Sequence, residues 1–249
     1  MHIERPSAKG LAGSLGAEVV GLDLADLETS NLSRIRDLVR AHLVCLFPGQ
    51  NLSSSQHLEL GRKLGTVQTH AYHADVDGPV PEMLVMRNSR PIADFWHADE
   101  TYEARPPNFS ILRMVECPET GGDTVWSNQY LAYRALSASF RRLVDELTAE
   151  HVTPDGDQRA VHPVVMKHPE TGRPALYVNR QFARSITGVT SVESQAVLDV
   201  LFEAAERIDF QVRYRWSPGT VAIWDNRCTQ HRVIGDYDSM RHAERIAVI

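Results

Sequence analysis

From Phe210 to Trp216 every second residue is apolar: Phe210, Val212, Tyr214 and Trp216 alternate with Gln211, Arg213 and Arg215. A period of two is the signature of a half-buried strand, and this strand has company. Leu43–Phe47 reads LVCLF and stops at Pro48-Gly49; Phe109–Val115 reads FSILRMV, a buried strand without clean alternation. Shorter strand candidates lie at Gly16–Leu24, Met83–Arg87, Val221–Trp224 and Ala243–Ile249, and two more, Val161–Lys167 and Ala175–Val178, flank the turn HPETGRP. Many short strands in 249 residues favour a barrel or jelly roll with helices outside it. Periodicity alone does not separate that arrangement from another α+β fold.

Helices fill the gaps. Leu32, Ile35, Val39 and Leu43 make one helical face, with Ser30 or Asn31 as the expected cap. Ser53 and Gln56 have capping-box spacing ahead of a helix through Leu60 and Leu64 that ends near Gly65. Asn128–Leu147 reads as helix broken near Ser137, and Ser191–Ile208 as a helix with Val197, Leu201, Ala204 or Ala205, and Ile208 on one face. No repeat or linker interrupts the chain, so residues 1–249 are expected to form a single domain.

Charged residues make up 23% and the net charge is −6, with no Lys/Arg block; nucleic acid is not an expected partner. The three cysteines, Cys45, Cys117 and Cys228, are widely spaced and form no CxxC. That pattern suggests neither a disulfide framework nor a zinc knuckle and suits a reducing compartment. Residues 1–9 lack the apolar stretch of a secretory signal. No apolar run approaches the roughly 20 residues of a membrane span. A cytoplasmic location without a membrane partner is the expectation, and self-association into a homo-oligomer is left open.

The chemistry starts at Asp94–Glu100, DFWHADE. If this segment is extended, His97 and Asp99 share a face, which places an imidazole and a carboxylate as adjacent ligands on one metal. A third ligand must come from elsewhere. His231 follows the Val221–Trp224 strand and a polar stretch, DNRCTQ, which would put it at a barrel mouth. His151, His162 and His168 read as surface residues near a helix end or a hairpin, and His70 and His73 as loop or pocket residues. Two histidines and one carboxylate form the facial triad of non-haem iron oxygenases. Near the C-terminus, Arg241, Ala243 and Arg245 share one face of an extended segment. Two guanidinium forks with a small residue between them could bind two carboxylates, or simply pair with Asp236 and Asp238. Gly121–Val125, GGDTV, makes a turn or delivers the Thr124 hydroxyl to a pocket.

In this order the pieces resemble the taurine dioxygenase and phenoxyacetate dioxygenase family of Fe(II)/2-oxoglutarate enzymes. The resemblance runs from GAEVVGLDL through LVCLFPGQNLSSSQ, DFWHADETYEARPPNFSIL, VECPETGGDTVWSNQYLAYRALS and HPETGRPALYVN to WDNRCTQHRVIGDY. It implies a mainly β fold with flanking helices around a double-stranded β-helix (jelly-roll) core. It implies His97, Asp99 and His231 as catalytic iron ligands, and Thr124 and Arg241 on the distal carboxylate of 2-oxoglutarate. His70, Tyr72 and Arg245 are implied as substrate contacts, and Trp224 as the aromatic beside the third ligand. The implied reaction consumes 2-oxoglutarate and O₂, gives succinate and CO₂, and hydroxylates a small anionic organic substrate. Where the hydroxyl lands beside a heteroatom, a C–O, C–S or C–N bond breaks. The residues between Arg241 and Arg245 and the tyrosine of the AYH loop depart from the family pattern, and both departures bear on the substrate. The rival readings are a metal-dependent hydrolase on the same ligands and a non-catalytic jelly-roll binding protein.

Overall fold

The computed structural model describes residues 7–69, 80–90 and 94–249. His70 and Tyr72 fall outside the described residues. Two sheets face each other. The larger has seven strands in the order β1 (Ser7–Gly10), β2 (Ala17–Val20), β3 (Val44–Phe47), β13 (Val221–Asp225), β5 (Phe109–Glu116), β15 (Arg241–Val248) and β4 (Leu84–Asn88). The smaller has β12 (Gln211–Tyr214), β6 (Thr124–Asn128) and β14 (Thr229–Val233). All pairs are antiparallel except β2 with β3. This is the mainly β, jelly-roll arrangement that the strand pattern favours.

The alternation along each strand decides what it packs on. In β13, Val221 and Ile223 point to one side, with Ile111, Ile246 and Val248, against α1 (Thr29–His42) and α2 (Ser54–Leu64). Ala222 and Trp224 point to the other, where Leu112, Met114 and Ala243 meet Trp126 and Val212 of the smaller sheet. A strand covered on both faces reads as a continuous apolar run, which is why LVCLF and FSILRMV show no clean alternation. A third apolar cluster joins α3 (Gln129–Ala135), α4 (Ala138–Val144) and α5 (Ser191–Ala205) to the outer strands β7 (Thr148–Val152), β10 (Pro174–Leu176) and β11 (Ala183–Ile186). The intervening strands are β8 (Arg159–Pro163), paired with β7, and β9 (Val165–Lys167), paired with β10.

Local expectations meet three corrections. The Ser53–Gln56 capping box is present in full, and Ser137 caps α4 at the expected helix break. The cap of α1 is instead Glu28, which makes no side-chain cap bond, and Ser30 and Asn31 lie inside the helix. Helix α5 stops at Ala205 and Ile208 is 82% exposed in a separate 3-10 turn, because the chain must turn there to enter β12. His151, His162 and His168 are buried rather than on the surface. Each finds a polar partner inside the fold: Thr101 Oγ1 at 2.8 Å, Glu103 O at 3.0 Å and Asp225 Oδ2 at 2.9 Å.

Candidate active site

His231 is the middle residue of β14, opposite Trp126 of β6. Its backbone exchanges two hydrogen bonds with His97: His231 N–H donates to His97 O at 2.7 Å, and His97 N–H donates to His231 O at 3.0 Å. This single bridge brings the two imidazoles to a centroid separation of 4.2 Å. The expected extended H-x-D segment is realised only at His97. Asp99 already belongs to a turn, and the next residue, Glu100, has a left-handed φ of +53°. The carboxylate still arrives where the extended reading places it. Asp99 Oδ1 lies 3.8 Å from His97 Nε2 and 3.9 Å from His231 Nε2.

The turn is held by residues that the sequence reading did not single out. Asn226, in the turn after β13, accepts from Asp99 N–H at 2.8 Å and donates to the Asp99 carbonyl at 2.9 Å. Ser110 of β5 donates to Asp99 Oδ2 at 2.5 Å, which leaves Oδ1 aimed at the histidines. Behind Asn226, Asp225 accepts from His168 at 2.9 Å and from Arg227 at both oxygens, 2.8 and 2.6 Å. His168, Asp225 and Cys228 are themselves close enough to hold an ion. Arg227 and His168 fill that carboxylate, so the group braces the β13–β14 turn.

The three donors suit a divalent metal. The His97 Nδ1–H donates to the Phe95 carbonyl at 2.8 Å, which fixes the tautomer with a bare Nε2, the arrangement metal-bound histidines need. Burial pushes the His97 imidazole down to about 4 and His231 well below its usual value, so both rings are neutral donors. Trp224 stands edge-on to His231 at 4.8 Å and Trp126 lies nearly parallel to its ring at 6.5 Å. The set of two imidazoles and one carboxylate on one side of a buried point fits the facial arrangement of a non-haem iron(II) centre.

These atoms open onto a cavity of 380 Å³. The same cavity is lined by Arg241, first residue of β15 and almost wholly buried. Its Nε donates to the Gly122 carbonyl at 3.3 Å, while one terminal nitrogen is buried with no partner. Thr124 lines the same cavity and its Oγ1 already accepts from Trp216 Nε1 at 2.8 Å, so the hydroxyl hydrogen is the part left to offer. The turn before Thr124 depends on glycine. Gly121 has φ +78°, and a Cβ there would stand 2.3 Å from the Asp236 carbonyl. An unpartnered guanidinium nitrogen beside a hydroxyl is the recognition set for a carboxylate.

Arg245 lies four residues along β15 from Arg241, facing the same cavity. One terminal nitrogen pairs with Asp99 Oδ1 and the other with Glu100 Oε1 at 2.5 Å. Burial pushes the Glu100 carboxyl up to about 8 and the Arg245 guanidinium down to about 10. Their contact works against both effects, because opposite charges side by side favour the charged form of each, so we take the pair as ionic. Much of the remaining wall is apolar, with Leu84 and Met86 of β4 and with Tyr102, Phe182 and Val233, while Arg87, Asn88 and Gln181 are polar members of it. Glu100, Ser110 and Asn226 escaped the sequence reading; the only signal for the last was its place in DNRCTQ directly after a buried strand.

The chain matches the model of the family described as "Taurine catabolism dioxygenase TauD, TfdA family" over residues 7–247. It is 33% identical to an alkylsulfatase of Acinetobacter baylyi, with 96% of this chain and 83% of the relative covered. It is 35% identical to an alpha-ketoglutarate-dependent sulfate ester dioxygenase of Pseudomonas putida, with 91% and 83% covered. Among solved structures, a taurine dioxygenase from Burkholderia xenovorans superposes with a TM-score of 0.90 at 37% identity, over 98% of this chain and 90% of the other.

Proposed function

The chain belongs to the taurine catabolism dioxygenase TauD, TfdA family, and from that premise we propose how its cavity carries out a 2-oxoglutarate-dependent oxidation. The enzyme is a 2-oxoglutarate-dependent dioxygenase acting on a small anionic organic molecule. His97 Nε2, Asp99 Oδ1 and His231 Nε2 hold iron(II). Arg241 and the Thr124 hydroxyl receive the distal carboxylate of 2-oxoglutarate. Arg245 faces the substrate's anionic group, and the sulfate ester and alkylsulfatase relatives make an organic sulfate or sulfonate the substrate class to try first. Bound iron supplies activation of O₂, coupled to decarboxylation of 2-oxoglutarate, for hydroxylation of a substrate C–H bond.

The protein's part is positioning and exclusion of water. Ser110 and Asn226 fix the Asp99 carboxylate, and the Phe95 carbonyl fixes the His97 ring. Arg241 and the histidines line one cavity, so a dicarboxylate bound to Arg241 would direct its keto-acid end toward the ligand atoms. Leu84, Met86, Phe182 and Val233 offer an apolar bed for a carbon chain. The observation that carries this reading is the unpartnered buried nitrogen of Arg241 in the same cavity as the three converging ligand atoms. A hydrolase on the same ligands has no use for that arginine.

The test is succinate formation from 2-oxoglutarate, with iron(II) and O₂, across a panel of alkyl sulfates, sulfonates, aryloxy acids and amino acids. Substrate-dependent succinate with matched loss of the organic anion is expected. Turnover that ignores 2-oxoglutarate would refute the reading.

A further inference from the structure

Glu100 is held against the preferences of both its backbone and its side chain. Its φ of +53° lies in the left-handed region, which a non-glycine residue keeps only where the surroundings over-determine it. Its carboxylate is buried and lines the cavity beside Asp99. Arg245 grips it there, 2.5 Å away on one terminal nitrogen, while the other terminal nitrogen holds Asp99. The Nε of Arg245 is buried without a partner. Both prongs of the fork are therefore already committed to carboxylates.

The charges make the same point. The buried ionic side chains of the cavity wall are the carboxylates of Asp99 and Glu100 and the guanidinium groups of Arg241 and Arg245, which balance. A divalent metal and dianionic 2-oxoglutarate balance each other as well. Among the described residues no buried positive charge is left over for an anionic substrate, since Arg87, the remaining cation of the lining, is exposed, and a second anion in a poorly hydrated cavity is costly unless it is paired.

We infer that Glu100 is a specificity-determining residue whose carboxylate competes with the substrate's anionic group for Arg245, so that an anion binds by displacing it. This inference rests on the reading that Arg245 receives that group. Removing the Glu100 charge therefore strengthens the binding of anions and leaves neutral molecules of the same shape unaffected.

The experiment measures equilibrium binding of hexyl sulfate and of 1-hexanol to protein loaded with Mn(II) and 2-oxoglutarate without O₂, so that no turnover intervenes. Glu100→Gln is expected to bind hexyl sulfate at least about tenfold more tightly than the parent, a discrimination built by removing a competing charge, with 1-hexanol unchanged. Glu100→Asn, whose side chain tolerates a left-handed φ, is expected to move in the same direction and guards against a folding defect of the first variant. Unchanged or weaker hexyl sulfate binding in both variants overturns the inference. The double variant Glu100→Gln, Arg245→Gln keeps the charge balance and separates this inference from the reading beneath it. If the double variant loses the affinity gained by Glu100→Gln, Arg245 is the anion's partner and the inference stands. If it binds hexyl sulfate as tightly as Glu100→Gln alone, the reading of Arg245 fails and the inference falls with it. If Glu100→Gln shows no gain yet the double variant binds less well, the Arg245 reading survives and the role of Glu100 alone is refuted.

Discussion

The side-chain amide of Asn226 brackets the peptide of Asp99, its oxygen 2.8 Å from the Asp99 nitrogen and its nitrogen 2.9 Å from the Asp99 carbonyl. Asn226 also donates to the Pro107 carbonyl at 3.2 Å. One buried side chain thus ties the turn carrying Asp99 to the turn that leads from β13 into β14, the strand carrying His231. Asn226→Ala leaves buried backbone groups without partners, at a cost of about 1–3 kcal/mol. The expected outcome is a lowered urea midpoint together with weaker metal binding, measured by Mn(II) titration. Ser110→Ala is expected to weaken metal binding with a much smaller change in the midpoint, because it frees only one carboxylate oxygen. Parent-like metal affinity in both variants would show that the Asp99 turn holds itself.

Arg241, with its unpartnered buried nitrogen, lines the cavity that the histidines also line. Losing one partner of a buried charge pair costs about 3–5 kcal/mol. Arg241→Ala is therefore expected to raise the 2-oxoglutarate requirement about a hundredfold or more, with Mn(II) affinity retained. Near-normal 2-oxoglutarate binding by calorimetry would sink the assignment and turn attention to Arg245.

Gly121 sits where a side chain would run into the Asp236 carbonyl. The same turn carries the Gly122 carbonyl that Arg241 donates to and delivers Thr124. Gly121→Ala is expected to weaken 2-oxoglutarate binding while leaving metal affinity near the parent's, since the proposed metal ligands His97, Asp99 and His231 lie on other segments of the chain. Comparing the two titrations on one preparation decides it; equal losses in both would mean general unfolding instead.

His151 gives a pH dependence with a definite sign. Burial, with a smaller contribution from His162, pushes its imidazole down to about 3. The unfolded chain takes up that proton near 6.5 and the folded chain does not. Stability from this group is intact above 6.5 and falls as pH drops from there toward 3, by up to about 1.4 kcal/mol per pH unit. His151→Gln is expected to flatten the urea midpoint against pH over that window. A profile as steep as the parent's would place the acid sensitivity elsewhere.

Glu244 titrates lower. Burial pushes its carboxyl up, but His57, Ser54 and Arg113 around it outweigh that and hold it down at about 2. Its stabilisation is present above the unfolded carboxylate value and is lost as pH falls toward 2. Glu244→Gln is expected to lower the midpoint at neutral pH and to lose less on acidification below about 4.5. A variant as stable as the parent at pH 7 would refute a stabilising role for this network.

The sequence by itself determined what local physics and chemical identity can fix. The strand alternation at Phe210–Trp216, the Ser53–Gln56 cap and the helix break at Ser137 are short-range patterns, legible because backbone geometry fixes them within a turn or a pleat. The residue types that meet in the cavity were legible too: His97, Asp99, His231, Thr124 and the same-face pair Arg241 and Arg245. The tertiary structure decided how they are used. Asp99 reaches its place from a turn, held by Asn226 from 127 residues away, and no periodicity encodes a contact of that range. His151, His162 and His168 look like surface histidines until the packed lobes cover them. Glu100 is one acid among many in the chain until β15 brings Arg245 against it, because burial and pairing are properties of the packed chain and not of any segment of it.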